Sequence, residues 1–406
     1  MVKHLKGVIF GIRNVLVQKG QLDKGKVAEV GRLVAFLRSK GITSVFFGNE
    51  DWTADGKRLQ DVIDNAWGKQ DWLITNVEGA PHKPTKKSID YLLNRYQWDS
   101  AEAIYVGNTE HDMQTAVNGK VLFLNATWYG QNSDYGFYFA SPQDIARFVD
   151  IFCLREHLWH YSVEQPNLRY YALAPYSTMI QDFACLSADA RSAAKFGGGH
   201  PDFWTKYLWS SIYFSELHKK VDYIAVYPGH SQGSGHRVMA EPMQTFGKCF
   251  RIAYLGDFIV RHTTARKSAY ARSSGEPLSH QVQLNTIMLS KHPLRGNGNP
   301  YKSCPVTSGK TVLVIDDICT NGYSLEAAKA YIKQTGANVI GMSWLKTINS
   351  PYMELGGISP FDPFRPNSFG PSVPFLPRAY SRLITDSAAA EEVTRHLQAY
   401  SSWQWP

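Results

Sequence analysis

The run Thr311-Val-Leu-Val-Ile-Asp-Asp-Ile-Cys-Thr-Asn-Gly-Tyr-Ser324 constrains this chain more than any other stretch. Val312 to Ile315 form an unbroken apolar segment, the pattern of a parallel strand buried on both faces. Leu325 to Thr335 carry the residues of a helix, so the small-residue turn between them lies at the carboxyl edge of a sheet, where open α/β sheets bind ligands. Gly322 frees the backbone at that turn. The N–H groups of Ile318, Cys319, Thr320, Asn321, Gly322, Tyr323 and Ser324 can then gather around a phosphate dianion at a helix N-terminus, with the Thr320 and Ser324 hydroxyls as further donors. The adjacent carboxylates Asp316 and Asp317 suit a different group: they accept from vicinal hydroxyls and can hold Mg²⁺ through water. A sugar phosphate is the ligand this order describes.

With four apolar residues, the pair Asp316-Asp317, then Thr320-Asn321-Gly322 and Ser324, the segment resembles the phosphoribosyl-pyrophosphate (PRPP) motif of type I phosphoribosyltransferases. Asn321 stands where many members carry a second Thr, which removes one side-chain contact and leaves the backbone donors. Val221 to His230 is a strand running into a Pro-Gly turn, and the resemblance implies pyrophosphate contacts from Tyr227, Pro228, Gly229 and His230. Arg261, His262, Arg266 and Lys267, followed by His280-Gln281 and Asn285, are similar to the basic segment of the ComF-like, competence-associated branch; Arg261, Arg266 and Lys267 are the pyrophosphate-binding cations it implies. Tyr176 and Lys195-Phe196 fit the opening helices of that branch less specifically. The resemblance spans roughly residues 165–350.

Charge placement is an independent observation. Residues 251–310 hold nine Lys and Arg against two acids, Asp257 and Glu276, in a chain whose formal net charge is +8. A polyanion with a 5′-phosphate and a pyrophosphate needs such a counter-charge, and a basic loop closing over it would exclude water. A solvated basic loop, or one binding nucleic acid nonspecifically, gives the same count. No zinc finger, RNA-recognition signature or basic amphipathic helix accompanies it, so nucleic acid is the second choice of partner.

The first 150 residues follow another pattern. Leu5 to Val17 read as a strand and turn resembling the first motif of haloacid dehalogenase-like (HAD) phosphatases, with Gly41 to Asn49, Lys83-Pro84 and Val106 to Asp112 following as the second, third and fourth. That chemistry requires an Asp nucleophile, an Asp acid/base two residues later and carboxylates for Mg²⁺. Here Gly11 and Arg13 stand at the first two positions, Gly48 replaces a hydroxyl, Asn108 replaces a metal-ligand carboxylate, and Lys83 and Asp112 remain. No side chain can form the covalent intermediate, so this site is expected to be inactive. Arg13 would either replace the metal, satisfying Asp112 and holding a phosphate-like anion, or fill a retired pocket as a salt bridge.

At 406 residues the chain exceeds a single core, and 44% hydrophobic with 19% charged residues is ordinary for a folded protein. The expected fold class is α/β in two domains. Residues 1–154 form a catalytically degenerate HAD-like Rossmannoid domain, 155–168 a linker, and 169–348 a type I phosphoribosyltransferase fold with parallel sheet and hood. Residues 349–406 form a tail in which Pro351, Pro360, Pro363, Pro366, Pro371, Pro374 and Pro377 alternate with Phe361, Phe364, Phe369 and Phe375. So much proline excludes helix or central strand, and so many aromatics exclude a disordered tail. An extended strap over a domain surface follows, walling the acceptor pocket or making a dimer contact, with a terminal helix near Ala388 to Tyr400. Five scattered cysteines without Cys-x-x-Cys suggest a reducing cytosol, and no run approaches a membrane span.

The resemblance implies a Mg²⁺-dependent enzyme that displaces pyrophosphate from PRPP with a nucleobase or amine-like acceptor. Asp316 and Asp317 would hold the ribose and the developing positive charge near a Mg²⁺ carried mainly by PRPP, and the 318–324 turn would anchor the 5′-phosphate. 6-Oxopurine salvage enzymes usually have Asp at the position of Thr320, which argues against hypoxanthine or guanine. His230, His262 and His280 are possible proton carriers. The alternative is a non-catalytic PRPP or nucleotide sensor, or a ComF-like nucleic-acid accessory, in a stress or defence system by analogy. A homodimer is the family's common state.

Overall fold

A computed structural model describes residues 3–131, 133, 135–233, 237–265 and 279–406. Two six-stranded sheets dominate it. In the first, β1 (Gly7–Phe10), β2 (Thr43–Gly48), β3 (Asp71–Ile74), β4 (Ala103–Gly107), β5 (Leu122–Ala126) and β6 (Phe137–Phe139) are ordered β6-β5-β4-β1-β2-β3. Every pairing is parallel. The cause is visible in the strands: all residues of β1, β4 and β5 are buried, so helices must cover both faces. One is Lys24–Ser39, whose N-terminus is capped by the Asp23 side chain and whose buried Val30, Leu33, Val34 and Leu37 form a single stripe.

The second sheet contains β7 (Tyr161–Gln165), β8 (Leu168–Tyr176), β9 (Tyr223–Val226), β10 (Ala253–Tyr254), β11 (Thr311–Cys319) and β12 (Asn338–Thr347), ordered β7-β8-β12-β11-β9-β10. Only β7 runs antiparallel, as an edge strand beside β8. The other four pairings are parallel. The chain is thus an α/β protein with a parallel Rossmann-like first sheet and a further sheet unit.

Two features differ from the sequence reading. The stretch read as a linker, 155–168, contains β7, and Arg155 within it is only 2% exposed. Its guanidinium donates to Phe152 O, Ser210 Oγ and Ser211 Oγ and lies 3.8 Å over the Tyr207 ring. The proline-rich tail, in turn, forms a two-stranded antiparallel hairpin, Tyr352–Leu355 with Phe375–Arg378. Phe361 and Phe369 pack edge-on against Tyr331, and the terminal helix runs from Ser387 to Ser402.

One apolar core joins the two sheets. It contains Phe10, Leu122 and Phe148 from the first unit together with Leu313, Ile340 and Trp344 from the second. The helix Pro201–Phe214 lies between them and is buried nearly all round, as a helix apolar on every face must be. Its Trp209 stacks on Phe137 at 3.9 Å, and its Tyr213 hydroxyl donates to the carbonyls of Ser100 and Ala103.

Candidate functional site

Two groups of side chains lie at carboxyl edges of the sheets. In the first unit, Gly11 follows β1, Gly48 ends β2, Lys83 precedes the helix Lys86–Tyr96, and Asn108 and Asp112 follow β4. Lys83 and Asp112 form a buried ion pair at 2.6 Å, their side chains 8% and 2% exposed. Lys83 Nζ also donates to Phe47 O and Tyr105 OH, both at 3.0 Å. The remaining lone pairs of Asp112 are taken as well: Tyr105 OH donates to Oδ1 at 2.9 Å and Thr109 Oγ1 to Oδ2 at 2.7 Å. Asp112 and Thr109 also cap the helix Glu110–Gly119 reciprocally, each side chain accepting from the other's backbone N–H. Burial alone would raise the Asp112 carboxyl, but the Lys83 charge with the bonds from Lys83, Thr109 and Tyr105 holds it below the usual carboxylate range.

This network decides what the first site can hold. A Cβ built on Gly11 would lie 2.6 Å from Asp112 Oδ2, so the Asp112 carboxylate occupies the room a nucleophile at position 11 would need. Asn108 Nδ2 donates to Ala126 O and Gly130 O, turning its amide toward backbone. The one acid is neutralised by an ammonium, and among the described residues no cluster of three His, Cys, Asp or Glu could hold a metal. Mg²⁺ does not fit this donor set. Arg13 is exposed, and the ion partner of Asp112 is Lys83, so the reading of Arg13 as the cation satisfying Asp112 is corrected. Tyr105 and Thr109 escaped the sequence reading; a Tyr in an apolar strand gives no sign that its hydroxyl reaches an acid seven residues on.

In the second unit, β11 extends further than the apolar run implied. Ile318 pairs with Leu345 and Cys319 with Lys346, so Ile318 and Cys319 belong to the strand rather than to the phosphate turn. Cys319 is 3% exposed, and burial pushes its thiol up to about 11. The turn proper is Thr320-Asn321-Gly322, with Gly322 at φ +81°, and the helix begins at Tyr323. Asp316 and Asp317 are half-buried at the strand's end, Asp316 Oδ1 accepting from Asp317 N and Asp317 Oδ1 from Ile318 N. The neighbouring β9 delivers Tyr227, Pro228, Gly229 and His230 to the same edge, Tyr227 N bonding Ile315 O at 2.8 Å. Burial pushes the Tyr227 hydroxyl up to about 12, with Arg261 and Ser324 lowering and Asp316 raising it, and the hydroxyl donates to Gln283 Oε1 at 2.9 Å. The acid pair, the turn and the β9 loop therefore meet.

Other expected residues serve the framework. Arg261 is 3% exposed and its guanidinium donates to Gly229 O, Thr286 Oγ1 and Gln283 Oε1, so it holds the β9 loop from behind instead of projecting into the site. His280 is likewise 3% exposed, with Nε2 2.7 Å from Met353 O, and burial lowers its pKa; it does not serve as a proton carrier in this arrangement. Gln281 and Asn285 donate to Phe369 O, fastening the tail. Arg266 and Lys267 lie outside the described residues. Sequence reading also missed Lys346, Tyr352 and Glu326. Lys346 Nζ donates to Thr320 O, Thr347 O and Ser350 O from beneath the turn. Tyr352 covers Gly322, and Glu326 accepts from Tyr352 OH and Leu355 N.

The family described as haloacid dehalogenase-like hydrolase matches residues 70–126, so the first unit contains a HAD-like hydrolase segment. No curated protein matches the chain. Among solved structures, a Lactobacillus delbrueckii protein named after phosphoglycolate phosphatase is 18% identical over 29% of this chain, with a TM-score of 0.25, and the match spans about half, 51%, of that chain. An uncharacterized Listeria monocytogenes protein is 18% identical, covering 35% of this chain and 95% of its own, with a TM-score of 0.27. The D,D-heptose 1,7-bisphosphate phosphatase of B. bronchiseptica, solved with magnesium and phosphate, is 14% identical over 35% and 96%, with a TM-score of 0.27.

Proposed function

We propose that the chain binds PRPP at the carboxyl edge of the second sheet and transfers its phosphoribosyl group to a nucleobase or amine-like acceptor with release of pyrophosphate. The observation that carries this reading is the meeting of Asp316 and Asp317 with the Thr320–Ser324 turn and the Tyr227–His230 loop at one sheet edge. The turn opens a helix whose first N–H groups have no intrahelical acceptor, the usual receptor for a phosphate. Asp316 and Asp317 would accept from the ribose hydroxyls and face the positive charge that develops at C1 as pyrophosphate departs. Two carboxylates alone do not make a cage for Mg²⁺, so the ion would arrive on the ligand's phosphates and meet them through water, supplying charge neutralisation to the leaving group.

The first unit, in this reading, is a non-hydrolysing scaffold. Its acid is already paired and its nucleophile position is glycine. A sensing role without turnover is the second reading, and one observation favours it: His280, the most enclosed of the possible proton carriers, is bonded to Met353 O, and Arg261 is occupied by the framework. Calorimetric titration with Mg²⁺ and PRPP, comparing wild type with Asp316→Asn/Asp317→Asn, tests the site. Binding lost in the variant supports it, and pyrophosphate release on adding acceptors then separates transfer from sensing. No binding to wild type removes both readings.

A further inference from the structure

Beneath the Thr320–Ser324 turn lies a charge that the residues of the site do not themselves explain. Lys346, the penultimate residue of β12, is fully buried, yet among the described residues no carboxylate lies within ion-pair distance of it. Its Nζ has three acceptors, Thr320 O at 2.7 Å, Thr347 O at 3.0 Å and Ser350 O at 2.7 Å. Burial lowers the Lys346 pKa, but three carbonyls match the three N–H donors of an ammonium, whereas a neutral amine has only two, so the acceptor set favours the cation. The neighbouring rings of Tyr161 and Tyr380 each stand 5.6 Å away, and Cys319 pairs beside it on β11. A buried cation without an anion is costly to fold around, and one of its three acceptors, Thr320 O, belongs to the turn.

Resting on the reading of that turn as a phosphate receptor, we propose that Lys346 is a positioning residue and buried counter-charge that makes the site select a phosphate dianion over a monoanion. Two effects combine. By drawing the Thr320 and Ser350 carbonyls inward, the ammonium fixes the turn with its donors outward. By leaving one positive charge uncompensated below them, it rewards the second negative charge of the ligand.

Ribose 5-phosphate is the probe, titrated calorimetrically between pH 5 and 7.5, because the second ionisation of a phosphate monoester falls near 6. Of the groups facing Lys346, burial holds the Cys319 thiol at about 11, Tyr380 at about 12 and Tyr161 higher, all above that window; His160, behind Tyr380, is lowered by burial from its ordinary value and is shared by wild type and variants, so its titration cancels in their comparison. Wild-type affinity is expected to rise about tenfold across the window as the dianion forms. In Lys346→Met and Lys346→Gln the rise shrinks below about threefold, with the fold checked by circular dichroism and melting; Gln keeps donors for the carbonyls and removes only the charge. A folded variant that retains the full rise overturns the role of Lys346 and leaves the phosphate site standing. A flat profile in wild type overturns it without any variant. Absence of binding by both ribose 5-phosphate and PRPP removes the site itself and the inference with it.

Discussion

Gly11 and Asp112 show at the scale of single residues how a buried acid is held as framework. Asp112 accepts from Lys83, Tyr105 and Thr109 and caps its own helix, so it is retained by structure whether or not anything is bound. Restoring the missing acid is therefore expected to fail: in Gly11→Asp the new Cβ would meet Asp112 Oδ2 at 2.6 Å, and two carboxylates would share one lysine. The variant should melt at lower temperature and show no turnover of p-nitrophenyl phosphate; hydrolysis appearing in it would contradict this account. Breaking the pair has a definite size and pH signature. Lys83→Met strands a buried carboxylate, a loss of about 3–5 kcal/mol in urea unfolding at neutral pH. The Asp112 carboxyl is depressed in the folded state, so its contribution is complete above the unfolded value near about 4 and disappears as pH falls through the folded one. Asp112→Asn should accordingly weaken the protein at pH 7 and flatten the acid limb of its stability curve. The glycine at position 11 was legible in the sequence because position and residue type suffice for that. The fate of Asp112 was not, since Tyr105 and Thr109 act through side-chain directions that no motif spacing encodes.

At the scale of elements, the turn after β11 and the proline-rich tail are one construction. Asn321 Nδ2 donates to Pro351 O, Met353 N donates to Asn321 O, and the Tyr352 ring lies where a side chain on Gly322 would go, with a Cβ only 2.6 Å from it. Gly322→Ala thus meets both an unfavourable φ and a filled space, and should cost about 1–3 kcal/mol and abolish detectable PRPP binding by calorimetry. Glu326, 1% exposed at its side chain, ties the helix to the hairpin through Tyr352 OH and Leu355 N and is paired with Lys329 at 2.5 Å. Glu326→Ala would leave Lys329 buried and unpaired and release the hairpin, so hydrogen exchange at Tyr352–Leu355 should accelerate before global unfolding does. Equal protection in both proteins would mean that the tail is held elsewhere. The strand, acid pair, glycine turn and helix were legible from 311–335 because apolar period and turn chemistry are local. The tail's extended course was legible too, from its prolines. Its antiparallel pairing was not, because Phe375–Arg378 contains Pro377 and its partner lies twenty residues back across a loop that gives no hairpin signal.

The whole molecule is bound together by a helix whose role depends on what surrounds it. Pro201–Phe214 carries too many aromatics for a surface helix, and the sequence alone could not say against which sheet they pack. In the structure they pack against both: Trp209 stacks on Phe137 of the first sheet and lies 4.9 Å from Phe148, while Trp204 of the same helix stacks at 6.0 Å on Trp344 of the second. Arg155 adds a buried guanidinium that donates to Ser210 and Ser211 of that helix, leaving no solvated hinge there. A division into independent units at about residue 155 would expose Phe137, Phe148 and Phe152 on one side and Trp209 on the other. The whole chain should therefore unfold in one calorimetric transition, and a fragment ending at residue 154 should be insoluble or molten. Trp209→Ala separates this from independent folding. It opens a cavity where the units meet, so a loss of about 3–5 kcal/mol should lower hydrogen-exchange protection in β1 and β11 together. Protection lost only in β11, with β1 unchanged, would mean that the first unit folds by itself and that the HAD-like segment is a separable passenger. Loss in both would make it a structural partner of the second sheet, and would account for the intact core of the first unit.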